Sequence, residues 1–235
     1  MEKTIHKSEE RGKSDLGWLH SRFSFSFADY YDPKRVGFGK LLVLNDDIIE
    51  PGQGFGAHSH ANMEIITIVT EGELEHKDST GVKEVIKTGE IQVMSAGKGI
   101  IHSEYNHSTQ KQVKLFQIWI ETKKKNLPPR HDKKTYQLPK NELTTVVSEI
   151  QKDNLLSINQ NAKISLGKFE VEKKLEYAIS ENNGVFIFVI EGNAIVEGEY
   201  LTKRDAITIS DTRKIKLKVG KESYLMAIEV PLEKS

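Results

Sequence analysis

The run Ile65-Ile66-Thr67-Ile68-Val69 is closed by Glu71-Gly72, and after turn signals at Ser79-Thr80-Gly81 and Thr88-Gly89 a second run follows at Ile91–Met94, ended by Gly97-Lys98-Gly99. Short apolar runs rich in Val and Ile and punctuated by glycine-containing turns indicate strands rather than helices. The punctuation extends outward on both sides, through Leu41–Leu44 and Leu115–Ile120 to Val185–Ile190, Glu191-Gly192-Asn193 and Ala206–Ile209. Tight turns between such runs are the mark of hairpins in an antiparallel sandwich or small barrel, so the chain is expected to be all-β.

The 235 residues leave room for two domains of ordinary size. Thr122 to Lys140 differs from its surroundings, with Lys123-Lys124-Lys125, Pro128-Pro129, Lys133-Lys134 and Pro139. It reads as an exposed connector, which sets the expected domains at 1–130 and 131–235 and makes the lysine triplet solvated linker charge rather than an interaction patch. Lys plus Arg and Asp plus Glu both total 34, so nothing electrostatic draws the whole molecule to nucleic acid or anionic lipid. With no cysteine there is neither disulfide nor thiolate nucleophile, and a transition-metal site must be built from imidazole and carboxylate. Met1 to Arg22 is too charged for a signal peptide and no apolar run approaches the roughly 20 residues of a membrane span, so a cytoplasmic location is expected.

All eight histidines lie at or before His131, which places any imidazole chemistry in the first half. His58-Ser59-His60 sets two imidazoles at i and i+2, on one face of a strand, where both can reach one ion. The glycine-rich approach Gly52-Gln-Gly-Phe-Gly56 lets the backbone turn into that strand. Gly97-Lys-Gly-Ile-Ile-His102-Ser-Glu104 then supplies a third imidazole and a carboxylate at the same spacing. A lone H-x-H pattern is more often surface histidine than ligand; two matched pairs on facing strands would make a four-point N3O site. That ligand set suits Fe(II) first, and also Ni, Cu, Mn or Zn. His6, His20, His107 and His131 lie in polar or connector sequence and are expected to be solvated. His76, after a strand and turn, fits a structural hydrogen bond at least as well as a role in catalysis and is left out of the site.

The first half resembles the pirin family of bicupins, and within it the bacterial members described as quercetin 2,3-dioxygenases. The resemblance rests on Gly17-Trp-Leu-His-Ser-Arg22, Phe25-Ser-Phe-Ala-Asp-Tyr-Tyr-Asp-Pro33, Asn45-Asp-Asp47, Gly52-Gln-Gly-Phe-Gly-Ala-His-Ser-His60, Met63-Glu-Ile-Ile66, Glu71-Gly-Glu-Leu-Glu-His-Lys-Asp78, Met94-Ser-Ala-Gly-Lys-Gly99 and His102-Ser-Glu-Tyr-Asn106. It implies two tandem cupin barrels, double-stranded β-helices of the jelly-roll type, packed face to face, with the metal of the N-terminal barrel held by His58, His60, His102 and Glu104. Counting from the general cupin motifs puts Glu64 one residue out of phase, so it is set aside as a ligand. Phe23 stands where some relatives carry histidine and is expected to alter the pocket rim.

Superposing Gly192 on Gly72 puts Ala178 and Ser180 in the places of His58 and His60 and brings the Lys214–Lys218 strand to that of His102. The second barrel is therefore expected to lack a metal site, to serve structurally, and to bury Val185, Ile187 and Val189 against the first. The activity implied by the resemblance is cleavage of quercetin or a similar enol-bearing aromatic with O2, with Glu104 as ligand, as general base, or both. A second expectation is a redox-sensing regulatory protein that binds a protein partner, as implied for pirins of nuclei, although a basic targeting cluster is lacking. A metal-independent sugar-binding cupin would leave both ligand pairs without use.

Overall fold

A computed structural model describes residues 1–152 and 154–232; Asp153 and residues 233–235 lie outside the described residues. The described residues form strands and one 3-10 turn at Ser8–Glu10, with no helix long and apolar enough to cross a membrane. The strands make two similar units, each a seven-stranded sheet with a four-stranded sheet beside it. In the first, the large sheet runs Arg130–Thr135, Glu90–Ser95, Met63–Glu71, Val113–Glu121, Leu41–Ile49, Leu19–Phe23, Gly12–Asp15. The small one runs Gly54–His60, Ile100–Asn106, Glu73–Asp78, Lys83–Lys87.

The second unit repeats this plan. Its small sheet runs Lys173–Ala178, Lys214–Val219, Asn193–Val196, Glu199–Thr202, and its large sheet is centred on Asn183–Glu191 and Ser223–Pro231. The two ends of the plan cross over. Strand Glu2–His6 pairs with Ala206–Ser210 in the second unit, whereas Arg130–Thr135, at the expected domain boundary, pairs with Glu90–Ser95 in the first.

Both faces of the large sheets are covered. Leu44, Ile66, Ile68, Phe116 and Ile118 of the first sheet share one buried cluster with Phe186, Phe188, Met226 and Ile228 of the second. The alternate residues face each barrel's own interior, and this is why the central strands read as unbroken apolar runs instead of alternating ones. At about 25 cal/mol per Å² of apolar area, each such side chain contributes about 1.5–3 kcal/mol, which makes the seam between the barrels a major source of cohesion. The expected contact of Val185, Ile187 and Val189 with the first barrel is corrected here: these three line the second barrel's own core, and Phe186, Phe188 and Ile190 make the seam. With both faces apolar, the sequence gives no cue to which set points which way.

Candidate metal centre

The interior of the first barrel is layered along its strands. On Met63–Glu71, Ile65 and Val69 belong to separate apolar clusters with Thr67 between them; on Val113–Glu121, Leu115 and Trp119 do the same with Gln117 between them. Thr67 pairs with both Gln117 and Gln92, and the facing small sheet brings His102 and Glu104 to the same depth. The result is a buried polar layer of Thr67, Gln92, Gln117, His76, His102 and Glu104, joined by Asp47.

The corresponding positions of the second barrel follow from matching register. Ile187 pairs with Ala227 and Ile207, Leu217 with Val196, and Ile215 with Tyr177, and all but Tyr177 are buried in one apolar cluster. Pairing sets Tyr177, not Ala178, at the position of His58, one residue from the place found by counting. The second barrel has Ile215, Leu217 and Val196 where the first has His102, Glu104 and His76, and in the place of His58 a tyrosine whose hydroxyl donates to Glu229 at 3.2 Å.

In the first barrel, His58 and His60 come from Gly54–His60, with His102 directly opposite His58. The ring centroids lie 4.9 Å (His58–His60), 4.4 Å (His58–His102) and 5.0 Å (His60–His102) apart, and one nitrogen from each falls within 4.8 Å of the others. The pairing slips after His102, so that Glu104 stands opposite Phe55. Gly54 permits this close approach, because a Cβ there would run into the carbonyl oxygen of Glu104.

Each imidazole is prepared in its own way. Nδ1 of His58 lies 2.7 Å from the Gly56 carbonyl and donates to it, leaving Nε2 free as an acceptor. His60 meets the indole of Trp119 edge-on at 4.8 Å. His102 is 2% exposed, and both of its ring nitrogens are buried without a hydrogen-bond partner. A buried unpartnered polar atom costs about 1–3 kcal/mol, a cost that a bound ion would remove. Burial, reinforced by the neighbouring imidazoles, lowers His102 to about 3 and His60 to about 4, so both are neutral and able to ligate at pH 7.

Glu104 lies toward the centre of the polar layer. Nε2 of Gln117 donates to its Oε2 at 2.9 Å, and Thr67, which donates to Oε1 of Gln117 at 3.0 Å, stands 3.4 Å from its Oε1. Burial, then the charge of Asp47, raises its carboxyl to about 7; Asp47 itself is raised to about 7 by burial, with Ser21 donating at 2.6 Å. The carboxylate falls within 4.8 Å of His102 and His76, forming a second, wholly buried triplet that shares His102 with the first.

His76 makes the structural hydrogen bond expected of it, Nε2 to Oδ2 of Asp78 at 3.0 Å, whereas His131 is not solvated as expected. His76 is fully buried between His102, at 5.4 Å, and His131, which stacks on it at 4.8 Å. His131 is therefore half-buried, not solvated. His6 is also buried, packed between Phe25 and Phe186 at the seam, while His20 and His107 remain partly exposed beside carboxylates. Inward alternation of Leu74 and His76 on one strand was the available signal. Glu64 is held by Ser95 at 2.6 Å and Asn159 at 3.1 Å, away from the imidazoles. Phe23 is buried, its ring 5.3 Å from Phe27; Phe27 in turn meets Trp119 at 5.4 Å, so an aromatic line runs from Phe23 to His60.

Residues 4–120 match the family model described as Pirin. The chain belongs to the pirin family. Residues 145–230 of this pirin match the model described as quercetinase C-terminal cupin domain, so both units are cupin barrels in tandem. A quercetin 2,3-dioxygenase of Escherichia coli (strain K12) is 38% identical over 227 residues, covering 97% of this pirin and 98% of the relative. A pirin-like protein of Caulobacter vibrioides is 34% identical over 226 residues, 94% of this pirin and 96% of the relative. Among solved structures, the bacterial pirin YhhW from Escherichia coli in complex with nickel(II) superposes with a TM-score of 0.94 at 37% identity, covering 99% of this pirin and 100% of that chain.

Proposed function

We propose that this pirin is a dioxygenase that opens the oxygenated ring of quercetin, or of a similar flavonol or enol-bearing aromatic, with O2. His58, His60, His102 and Glu104 would hold one divalent transition metal for this reaction. Fe(II) is the first choice for an N3O set, and Ni, Cu, Mn and Zn are compatible with it. The observation that carries the reading is the convergence of three imidazoles, one of them buried with no partner for either nitrogen. The name of the relative from Escherichia coli supports the substrate class, and the nickel(II) of YhhW supports the metal-binding character.

When bound, the metal supplies Lewis acidity toward the flavonol 3-hydroxyl and a template that brings the substrate together with O2. The chain's own groups do the rest. His58 and His60 are half-exposed, so the imidazole cluster opens on their side and substrate approaches there. Trp119 meets His60 and Phe27 packs on Trp119, which together offer apolar aromatic surface suited to a flat ring. Glu104, raised by burial toward neutrality of pH, can take the hydroxyl proton at a carboxylate oxygen while Gln117 holds the other.

The test is metal content of anaerobically purified protein, followed by loss of the flavonol absorbance band with quercetin and O2. Metal-dependent turnover with release of carbon monoxide, lost in His58→Ala and Glu104→Gln, is the expected result. Stoichiometric metal with no turnover on any flavonol would move the assignment to a metal-binding regulatory protein.

A further inference from the structure

The four proposed ligands leave His76 without a use, yet it is among the most constrained polar side chains of the barrel. Its Nε2 lies 3.0 Å from Oδ2 of Asp78, and neither side chain has any exposed surface. The other oxygen of Asp78 accepts from the backbone N–H of Thr80 at 2.8 Å and from its hydroxyl at 2.6 Å, so the carboxylate is fixed in place. An ionised carboxylate has no proton to give. Nε2 of His76 must therefore be the donor, and the lone pair of a neutral ring sits on Nδ1.

His102 lies beside this ring, with the two centroids 5.4 Å apart. Nε2 of Gln92 lies 3.5 Å from Nδ1, the outer limit of a hydrogen bond. A donor atom of His76 lies within 4.8 Å of one from His102, whose two nitrogens are both buried and unpartnered. A metal can take only one of them. An imidazole that ligates a metal generally gives its second N–H to an acceptor, which fixes the ring's orientation and raises its basicity. His58 already does so, through Nδ1 to the Gly56 carbonyl.

We propose that His76 is a positioning residue for the metal centre: its Nδ1 accepts the N–H of the His102 nitrogen that does not face the metal. Asp78, His76 and His102 then form a chain of fixed tautomers ending at the ion, and the stacked ring of His131 holds His76 in line. The inference rests on the metal-centre reading above. His76 is not itself a ligand, and the chain holds one ion.

The experiment titrates metal-free wild type, His76→Phe, His76→Asn and His58→Ala with Ni(II) against a competing chelator, and records the Ni(II) absorption spectrum and the melting temperature of each metal-free protein. His76→Phe keeps one Ni(II) per chain but binds it about 10–100-fold more weakly, with a shifted spectrum. His76→Asn, whose Oδ1 offers an acceptor near the place of Nδ1, recovers part of both. Should the phenylalanine variant not fold, Asp78→Asn removes the charge that fixes the tautomer and carries the same comparison. Wild-type affinity and spectrum in the folded His76 variants would reduce His76 to a packing role and overturn the proposal. So would two Ni(II) per wild-type chain, one of them lost with His76, because that makes His76 a ligand. Full Ni(II) binding by His58→Ala would instead overturn the metal-centre reading beneath it.

Discussion

Ile215 occupies in the second barrel the place that His102 occupies in the first: each is buried on the middle strand of the small sheet, opposite Tyr177 and His58 respectively. The two positions share a backbone setting and differ in chemistry, so exchanging their characters should have opposite effects. His102→Leu removes two buried, unpartnered nitrogens and should leave the metal-free protein at least as stable as wild type while abolishing metal binding. Ile215→His buries an imidazole among hydrocarbon with no partner and should cost about 2–4 kcal/mol. Denaturant unfolding of the metal-free proteins checks both signs. A large destabilisation by His102→Leu would mean that the polar layer contributes to folding without its ion.

His58 provides the complementary measurement. It sits at the half-exposed side of the cluster, and its Nδ1 bond to Gly56 is local, so His58→Ala should change the stability of metal-free protein by less than about 1 kcal/mol. Stoichiometric metal should nevertheless be lost, since two of the three converging imidazoles cannot close the site. A barrel with a packed core does not depend on its ion as a zinc finger does. Metal analysis and circular dichroism on the same preparation separate the two outcomes.

How far the sequence carried these conclusions depended on which periodicity was present. Turn glycines and short apolar runs were enough for the all-β fold, and the i, i+2 spacing of His58, His60 and of His102, Glu104 gave the faces they share. Val185–Ile190 could not be phased, because a strand buried on both sides has no polar residue to mark its outward face. His131 was misread for a related reason: its neighbours Asp132 and Lys133 are polar, and polarity of neighbours says little about a strand whose every second residue points inward. The unpartnered nitrogens of His102 and the tautomer of His76 depend on contacts between strands distant in sequence, which no local pattern records.

Truncation after Arg130 tests the seam between the barrels. It would uncover Leu44, Ile66, Ile68, Phe116 and Ile118, strip most of Arg130–Thr135 from the edge strand Glu90–Ser95, and leave Glu2–His6 with no partner. An apolar face of that extent beside an unpaired strand edge is an aggregation surface, so the fragment should be recovered insoluble. The single substitution Phe116→Ala, which removes the ring meeting Phe188 at 5.6 Å, should cost about 3–5 kcal/mol in the full chain. A soluble, metal-loaded fragment would show that the first barrel stands without the second.

At the same seam, His6 should make stability depend on pH. Its ring is enclosed by Phe25 and Phe186, with Thr208 at 3.3 Å, and burial lowers it from 6.5 to about 4, with Arg35 adding to the effect and Glu10 opposing it. Above pH 6.5 the ring is neutral in both the folded and the unfolded chain, and its packing contributes fully. Between pH 6.5 and about 4 the unfolded chain binds the proton and the folded chain does not, so stability falls as pH falls, by up to about 3 kcal/mol. Below about pH 4 both states are protonated and the loss levels off. His60 and His102 shift in the same direction, so the contribution of His6 must be read as a difference: the slope of unfolding free energy between pH 4 and 6.5 should be shallower in His6→Leu than in metal-free wild type. Equal slopes would mean that the ring gains water or a partner when it charges, and that strand Glu2–His6 opens from the seam in acid.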